Sequence, residues 1–237
     1  MAAHLQRVTI APHQYQDQTI ALTPAQQHYL YRVLRLQEGD RFIAMNGQGQ
    51  AWIAQLATDT AILQDSLEVT SELPIPLTLL VALPKGNGFE EIIRCGTELG
   101  VSAFVPVESD RTLLNPSPQK LKRWRRIAQE AAEQAERAIV PPIQDPIPFL
   151  DTLPSPAQQT GYICIARGGF PPLLDHLFPP PTQPISLFTG PEGGWTPQEV
   201  EAALEAGIQP VSLGKTILRA ITAPIVATAL ITNVLNR

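Results

Sequence analysis

The feature that most constrains the fold is an alternation of short apolar runs with helical segments, which begins after residue 76. The apolar runs are too short for helices and lie at residues 77–82, 103–107, 162–166, 185–189 and 210–213. Helical patterns lie between and after them, at residues 88–99, 119–139, 196–206 and 222–235. Apolar strands that alternate with helices are typical of a mostly parallel sheet covered on both faces. The sequence therefore predicts an α/β domain with its ligand at the loops beyond the strand carboxyl ends.

The first 72 residues follow a different pattern. Strands are predicted at residues 18–22, 41–46 and 51–56, and the Asn46-Gly47 turn joins the last two as a hairpin. One helix lies among them, with Thr23 and Gln26 as a capping box and Gly39 as its end. We expect a small barrel-like β domain at residues 1–72. The stiff stretch Leu73-Pro74-Ile75-Pro76 then leads into the α/β domain at residues 73–237.

Charge narrows the possible partners. The chain has 17 Lys and Arg against 22 Asp and Glu, a net charge of −5, which argues against a generic polycation. Charged residues make 16% of the chain and hydrophobic residues 44%, which excludes a disordered protein and fits a large buried core. Within residues 111–137, however, seven basic residues stand against three acidic ones, a local charge of +4. This stretch is the candidate surface for an anionic partner.

The basic residues open the longest predicted helix, as Lys120-Leu121-Lys122-Arg123-Trp124-Arg125-Arg126. Two interpretations are open. The helix can be solvated, with its charges stabilised by pairs such as Arg126 with Glu130. Alternatively, because cations at a helix start oppose the macrodipole, their placement favours an anionic partner such as a phosphate backbone.

Targeting and metal-binding signals are sparse. Cys95 and Cys164 lie far apart in apolar segments, which indicates two reduced core cysteines. The histidines are dispersed, so we expect no metal site. Residues 1–16 lack the apolar core of a secretory signal, and the most apolar stretch, residues 223–235, is shorter than the roughly 20 residues of a membrane span. A cytoplasmic protein without a membrane partner is expected.

The loop Gly190-Pro191-Glu192-Gly193-Gly194 is the first candidate site. It follows a predicted strand and leads into Thr196-Pro197-Gln198-Glu199, a second capping box. Three glycines in five residues allow the backbone to approach a ligand closely. A tight turn without a ligand is the alternative, but the bare loop favours a small-molecule site.

A second loop, Leu213-Gly214-Lys215-Thr216-Ile217-Leu218-Arg219-Ala220, lies between a strand and the last helix. Its Gly214-Lys215-Thr216 is similar to part of a phosphate-binding P-loop, but Gln209 stands where the first P-loop glycine belongs. Lys85-Gly86-Asn87-Gly88 likewise begins a dinucleotide-binding fingerprint, whose third glycine is replaced by Glu91. Both nucleotide motifs therefore fail.

Taken together, the two loops resemble a known family. Phe188-Thr189-Gly190-Pro191-Glu192-Gly193-Gly194-Trp195, followed by residues 213–219, is similar to the bacterial small-subunit ribosomal RNA uridine-N3 methyltransferases of the SPOUT class. Further matching blocks occur in the same order along the chain, at residues 28–40, 85–86 with 97–101, 110–111, and 130–134 with Arg137. The resemblance covers nearly the whole chain.

The resemblance implies a fold, a cofactor and an assembly. It implies an N-terminal PUA-like β-barrel that helps to hold RNA and a C-terminal α/β domain with a deep trefoil knot. The knot loops would bind S-adenosylmethionine, and the enzyme would act as a homodimer on 16S ribosomal RNA in the small subunit. The expected reaction is methylation of N3 of a specific uridine to give 3-methyluridine. The implied cofactor-binding residues are Thr189, Gly190, Pro191, Glu192, Gly193, Gly194, Leu213, Gly214 and Leu218.

Two residues are candidates for the chemistry. We expect Arg219 to donate hydrogen bonds to a uracil carbonyl, although a phosphate or Glu192 is an equally plausible partner for it. Glu192 is the nearest candidate base, with orientation of the loop as its alternative role. The predicted RNA contacts are the basic residues Arg7, Arg32, Arg35, Lys85, Arg111, Lys120, Lys122, Arg123, Arg125, Arg126 and Arg137.

The chain departs from the family pattern at a few positions. The family usually has Arg-x-Glu-Thr where this chain has Arg219-Ala220-Ile221-Thr222, so Ile221 replaces a carboxylate. The family usually has a basic residue before the position of Ile217, where this chain has Thr216. A Gln-Lys pair is common where this chain has Arg94-Cys95. Two other functions stay open, namely another SPOUT activity, such as ribose 2′-O or another base position, and a non-catalytic RNA-binding protein.

Overall fold

The chain forms two units in the computed structural model, which describes residues 5–153 and 160–237. The first unit comprises Met1–Glu72 with Ala132–Val140, and the second comprises Leu73–Ala131 with Pro141–Arg237. The first four residues of the opening segment, on which the expectation of no secretory leader partly rests, lie outside the described residues. The roles expected for residues 1–72 and 73–237, RNA binding and methyl transfer, stay predictions.

The first unit is built on a curled six-stranded sheet. Its spatial order is β1-β4-β5-β6-β3-β2, with β1 parallel to β4 and the other pairs antiparallel. Val8, Ile20, Leu30, Phe42 and Leu56 lie in its buried core. The strands are β1 (Arg7–Thr9), β2 (Tyr15–Gln16), β3 (Thr19–Ala21), β4 (Arg41–Met45), β5 (Ala51–Ala57) and β6 (Thr60–Leu67).

The helix of the first unit begins where its capping box predicts. Thr23 accepts a hydrogen bond from the Gln26 backbone N–H at 3.3 Å, and the Gln26 side chain accepts one from the Thr23 N–H at 2.9 Å. α1 (Pro24–Gln27) continues as a π-helical segment, His28–Val33. This helix ends before Gly39, because Arg35 takes the left-handed conformation, φ +59°, and the Leu36 N–H turns back to the Leu30 carbonyl.

Residues 132–140 complete the first unit. The Val140 N–H donates to the Gly47 carbonyl at 2.9 Å, and the Gly49 N–H donates to the Ala138 carbonyl at 3.0 Å. These bonds attach the returning segment to the β4–β5 hairpin. The predicted helix 119–139 therefore stops early, at Gln134, since the segment that follows it packs in the first unit.

The second unit contains a six-stranded sheet in which every neighbouring pair is parallel, as the alternating pattern predicts. Its order is β12-β10-β11-β7-β8-β9. The apolar strands are buried on both faces, with Leu187 and Phe188 as adjacent examples on β11. The strands are β7 (Leu77–Ala82), β8 (Ala103–Glu108), β9 (Ile147–Pro148), β10 (Thr160–Cys164), β11 (Ile185–Thr189) and β12 (Gln209–Val211).

Within the described residues, four α-helices accompany this sheet. Trp124 on the third helix of the chain is fully buried, with its ring 4.6 Å from that of Phe89, so the predicted apolar stripe faces the core. The helices are α2 (Gly88–Glu98), α3 (Pro118–Gln134), α4 (Pro197–Glu205) and α5 (Thr222–Leu235). Among the described residues, no helix has the length and apolar character needed to span a membrane.

Candidate active site at the carboxyl edge of the parallel sheet

The parallel sheet brings four loops to one edge. Since β12, β10, β11 and β7 are consecutive neighbours that run in the same direction, their carboxyl ends lie side by side. The loops that follow them are residues 212–221, 165–172, 190–196 and 83–87. We call these four segments the edge loops. They include both loops that the sequence selected as candidate sites.

The glycine loop after β11 is tightly shaped. Its Gly194 N–H donates to the Pro191 carbonyl at 2.9 Å, and Gly194 has a φ of +68° that L side chains rarely adopt. The Trp195 ring lies over Gly190, where an added Cβ would be 3.2 Å from the indole. The backbone of this loop is therefore bare on one side and packed against tryptophan on the other.

The junction from this loop into α4 confirms the second capping box. Glu199 accepts a hydrogen bond from the Thr196 N–H at 2.7 Å, and its other oxygen accepts one from the Asp110 N–H at 2.9 Å. Thr196 also donates its hydroxyl to Asp110 at 3.1 Å. The carboxyl end of β8 thus helps to fix the glycine loop.

Glu192 is engaged within the edge loops. Its carboxylate accepts a hydrogen bond of 3.0 Å from the backbone N–H of Lys85, in the loop after β7. The contact joins two of the edge loops, which matches the orienting role given as the alternative for this residue. No ion pair between Glu192 and Arg219 occurs among the described residues.

Arg111, a predicted RNA contact, supports the glycine loop. Its guanidinium donates to the Gly193 carbonyl at 2.6 Å and lies 3.5 Å from the Trp195 carbonyl oxygen. Its aliphatic stem packs on Gly193, where an added Cβ would be 3.1 Å from the Arg111 Cδ. The Arg111 side chain therefore helps to hold the glycine loop in place, through its guanidinium and its aliphatic stem.

The loop after β12 presents Arg219. Gly214 has a φ of +118°, and its N–H is held by the Ser212 hydroxyl at 3.1 Å. Arg219 anchors its carbonyl to the Ala223 N–H at 2.9 Å at the start of α5, while its exposed guanidinium finds no partner within the described residues. A free guanidinium at this edge suits a ligand contact.

Ile221, the departure from the family pattern, packs against the loop after β7. A Cβ added to Gly88 would lie 2.7 Å from both Cδ1 and Cγ1 of Ile221. An isoleucine therefore fills, by apolar contact, the space over the first residue of α2. The structure uses this position for packing between two elements.

The predicted RNA contacts on α3 are mostly bound internally. Lys120 donates to the Gly86 carbonyl at 2.7 Å and lies 3.3 Å from Asn87 Oδ1. The others form ion pairs, which are Arg123 with Glu90, Arg125 with Asp145 and Arg126 with Glu130. Lys122 alone of this cluster has no partner among the described residues.

In the first unit, two of the predicted contacts are also internal. Arg137 is 2% exposed and pairs with Glu72, and Arg7 pairs with Glu136 at 2.8 Å. Such burial leaves the Arg137 guanidinium no access to a phosphate. Arg32 and Arg35 are exposed, like Lys85 of the second unit, and their side chains have no partner within the described part of the chain.

The edge loops have features that fit a small organic ligand. Thr189 Oγ1 and Trp195 Nε1 are buried without a hydrogen-bond partner in the described residues. Nothing lies within 4 Å of a Cβ added to Gly194 or Gly214, so the backbone there borders open space. Unpaired buried polar groups beside open, glycine-lined backbone are what a ligand with adenine and amino-acid groups can complete.

Cysteine and metal chemistry find little support at this edge. Burial raises the pKa of the Cys164 thiol, at the end of β10, to about 12, so it stays protonated and is a poor nucleophile near pH 7. Cys95 is also free. Among the described residues, no three His, Cys, Asp or Glu side chains are grouped as metal ligands.

Sequence reasoning missed several members of this edge. It missed the backbone N–H of Lys85 as the partner of Glu192 and the contact of Ile221 with Gly88, since neither has a local signal. It also passed over Arg167, which precedes the exposed pair Gly168-Gly169 in the loop after β10. A glycine pair directly after a predicted strand is a signal that could have identified this loop.

Comparison with known proteins supports the family resemblance. The family model described as an RNA methyltransferase domain matches residues 71–232, and that of an RNA methyltransferase PUA domain matches residues 22–63. A protein of Synechocystis sp. named ribosomal RNA small subunit methyltransferase E is 50% identical over 97% of this chain and 78% of its own length. The protein of that name from Bacillus subtilis is 32% identical, over 88% of each chain.

A solved structure agrees with these sequence matches. The ribosomal RNA small subunit methyltransferase E of Neisseria gonorrhoeae, bound to S-adenosyl methionine, superimposes with a TM-score of 0.86 and 32% identity. The match covers 95% of this chain and 96% of the other. The predicted fold, a PUA-like unit with a SPOUT-type α/β unit, is thereby confirmed. The chain therefore belongs to the ribosomal RNA small subunit methyltransferase E family of RNA methyltransferases.

Proposed function

We propose that the chain transfers a methyl group from S-adenosylmethionine to N3 of a uridine in 16S ribosomal RNA, giving 3-methyluridine. The observation that carries the proposal is that the glycine loop after β11 and the loop after β12 lie at the same edge of the parallel sheet, where the buried Thr189 hydroxyl has no partner among the described residues. Family membership and the S-adenosyl methionine in the Neisseria relative support the same reaction. The N3 position follows from the family that the two loops resemble.

The residues proposed to hold the cofactor are backbone groups of the edge loops. Thr189 to Gly194 would enclose it on one side, and Leu213, Gly214 and Leu218 on the other. Neither Leu213 nor Leu218 forms a backbone N–H hydrogen bond within the described residues, which leaves both donors for a ligand. Backbone groups on glycine-rich loops read a ligand closely because no side chain stands between them.

The reaction requires N3 to lose its weakly acidic ring proton to solvent and use the freed electron pair for the new N–C bond. When bound, S-adenosylmethionine supplies a methyl group on a positively charged sulfur, which keeps the C–S electron pair and leaves as a neutral thioether. Positioning of the uracil and stabilisation of its anion lower the barrier to this step.

Arg219 is our candidate for stabilising the uracil anion. Its guanidinium is exposed and unpaired among the described residues, on the loop that also contains Gly214 and Leu218. Two parallel N–H donors on a fixed arginine suit a carbonyl oxygen that gains negative charge. We assign Glu192 mainly a positioning role, because its carboxylate holds the Lys85 backbone N–H.

The proposed division of labour follows the two domains expected from the sequence. Residues 73–237 would carry the cofactor and the chemistry, and residues 1–72 would hold RNA through Arg32 and Arg35. Lys85 and Lys122 would contribute on the second unit. The other predicted contacts, Arg7, Arg111, Lys120, Arg123, Arg125, Arg126 and Arg137, are engaged inside the chain, so we assign them to structure.

Mass spectrometry of nucleosides tests the proposal. A strain lacking the gene should lose 3-methyluridine from its 16S ribosomal RNA, and the purified protein with S-adenosylmethionine should restore it on small subunits from that strain. Loss of a ribose-methylated nucleoside instead would identify another SPOUT activity. An unchanged nucleoside profile would leave a non-catalytic RNA-binding protein.

A homodimer is the proposed assembly. α5 contains no charged residue, and its Pro224, Ala227 and Ile231 face the core. The opposite stripe, including Ile225, Val226 and Leu230, stays half-exposed in the single chain. An apolar stripe left open to solvent is a typical protein–protein contact, so a second copy would cover this stripe. An enzyme acting on ribosomal RNA works where subunits are assembled, and we therefore place the protein in the cytoplasm.

A further inference from the structure

The cations of the second unit fall into two groups. Seven are engaged by carbonyl oxygens, carboxylates or amides, namely Arg94, Arg111, Lys120, Arg123, Arg125, Arg126 and Arg237. Five have no partner for their side chains within the described residues, namely Lys85, Lys122, Arg167, Lys215 and Arg219. Four of these five lie in the edge loops. The basic helix α3 contributes only Lys122.

The edge loops also have few acidic residues. Their four segments contain the four unpaired cations and a single carboxylate, that of Glu192. They therefore carry a charge of +3 in a chain of −5. A basic patch confined to the ligand-binding edge of an α/β sheet attracts an anion to that edge.

Arg167 projects from a loop whose shape is fixed. Gly168 has a φ of +120°, and a Cβ added there would lie 2.5 Å from the Phe170 ring, so both its conformation and its packing demand glycine. Arg167 is exposed next to this turn. Its guanidinium forms no hydrogen bond or ion pair within the described residues, so it is available to an anion.

The loop that bears Arg167 runs alongside the loop that bears Lys215. Pro172 pairs with Ser212 in a parallel bridge, with the Leu173 N–H donating to the Ser212 carbonyl at 2.9 Å and the Ser212 N–H to the Pro171 carbonyl at 2.8 Å. Lys215 lies three residues after Ser212 and is exposed. The two cations thus lie on neighbouring segments, since β10 stands next to β12 in the sheet.

We propose that Arg167 and Lys215 neutralise backbone phosphates of the RNA strand that carries the target uridine. The inference rests on the proposed function and deepens it, because it moves the principal electrostatic contact from α3 to the edge loops. A strand held at its phosphates on this edge places one base over the glycine loops. Phosphate contacts fix position and register without reading sequence.

The test is the salt dependence of binding to small ribosomal subunits from a strain lacking the gene. The double variant Arg167→Ala/Lys215→Ala should bind more weakly between about 50 and 200 mM salt, with the slope of log affinity against log salt shallower by about 1.4, or about 0.7 for each single-strand phosphate contact. Arg167→Lys should keep the parent slope, because it keeps the charge. Calorimetric affinity for S-adenosylmethionine should not change in either variant.

The control is Arg94→Ala, which removes one positive charge, as each substitution of the double variant does, from an exposed arginine that pairs with Glu91 on α2. It should keep the parent slope. A double variant with the parent slope, or an equal decrease in Arg94→Ala, would overturn the proposal. Failure of the proposed function would look different, since the parent protein would then form no 3-methyluridine while its salt slope could still be compared with that of the variants.

Discussion

Arg219 combines a hydrogen-bonded backbone with an exposed side chain. Its backbone is anchored at the start of α5 through the Ala223 N–H, yet its guanidinium has no partner among the described residues. The anchoring matters because an oriented donor stabilises developing charge without first being reorganised. We propose that the Arg219 side chain, on the same loop as Gly214 and Leu218, contacts a substrate carbonyl.

The first prediction concerns Arg219→Ala. Loss of a donor aimed at developing negative charge typically lowers turnover by about 10²–10³-fold, and we expect a decrease of that size. Single-turnover transfer of labelled methyl groups to small subunits measures it, with calorimetric S-adenosylmethionine binding as the control for an intact loop. Arg219→Lys should recover only part of the rate, because a lysine lacks the forked donor geometry. Full turnover in Arg219→Ala would remove the residue from the chemistry.

Two substitutions of Glu192 can distinguish a role in anchoring the loop from a role in proton transfer. A glutamine in its place can still accept the hydrogen bond from the Lys85 N–H, which is 3.0 Å away, but it cannot take a proton. If Glu192 positions the loop, Glu192→Gln should keep turnover within about tenfold while Glu192→Ala loses more. The comparison requires the pH profile of both variants. A much larger loss in Glu192→Gln, with unchanged cofactor affinity, would instead make Glu192 the base.

The sequence selected candidate loops, whose roles stay predictions, but it did not show which charged side chains are paired inside the chain. The glycine loop and Arg219 were identifiable from residue types and family resemblance alone. The internal hydrogen bonds of Lys120 and Arg111 could not be predicted, because their partners are the backbone carbonyls of Gly86 and Gly193, far away in sequence. Local charge counts cannot reveal pairing of this kind, which depends on the tertiary fold.

Ile221, which replaces the usual glutamate of the family, lies at the junction of α2 with the start of α5. A Cβ added to Gly88 would meet the Ile221 side chain first and then Pro84 Cγ, which would be 3.2 Å away. The loop between Pro84 and Gly88 is also held by Glu192 and Lys120. Apolar packing by Ile221 therefore helps to set a loop that borders the proposed site.

A double-mutant cycle tests this packing. Gly88→Ala should destabilise the protein by about 1–3 kcal/mol, because its Cβ would approach the Ile221 side chain to 2.7 Å. In an Ile221→Ala background the same change should cost much less, since the obstructing atoms are gone. Urea unfolding of the four proteins measures the coupling. An equal cost of Gly88→Ala in both backgrounds would show that the two elements do not interact here.

Elements of the second unit were more predictable than those of the first. β7, β11 and α5 begin and end at the residues expected from the pattern. In the first unit β1, β2 and β6 were missed, because two are very short and β6 has a largely polar, exposed face. Strands buried on both faces can be predicted from their continuous apolar composition. The formation of strands in a curled, half-exposed sheet depends on packing against neighbouring strands, which the local sequence does not show.

At the scale of the whole molecule, net charge proved a poor guide to the partner. A chain of −5 contains a sheet edge of +3, since acidic residues are largely excluded from the four edge loops and occur elsewhere. The parallel topology makes this possible, because residues far apart in sequence, such as Lys85 and Arg219, are brought to the same edge. The local charge along the sequence indicated α3 as the basic surface. The strand order instead brings Lys85, Arg167, Lys215 and Arg219 to one edge of the sheet.

The last prediction concerns the assembly. Because the outer stripe of α5 is apolar and half-exposed, a buried charge there should prevent a second copy from packing on it. Val226→Glu should convert a dimer into a monomer in light scattering after size exclusion, and methyl transfer should fall if the site needs both subunits. Leu204→Glu is the matched control, since it adds the same charge at a 44% exposed leucine on α4 and should leave the mass unchanged. A parent protein that elutes as a monomer at all concentrations would refute the dimer, and a dimer that survives Val226→Glu would move the interface to another face.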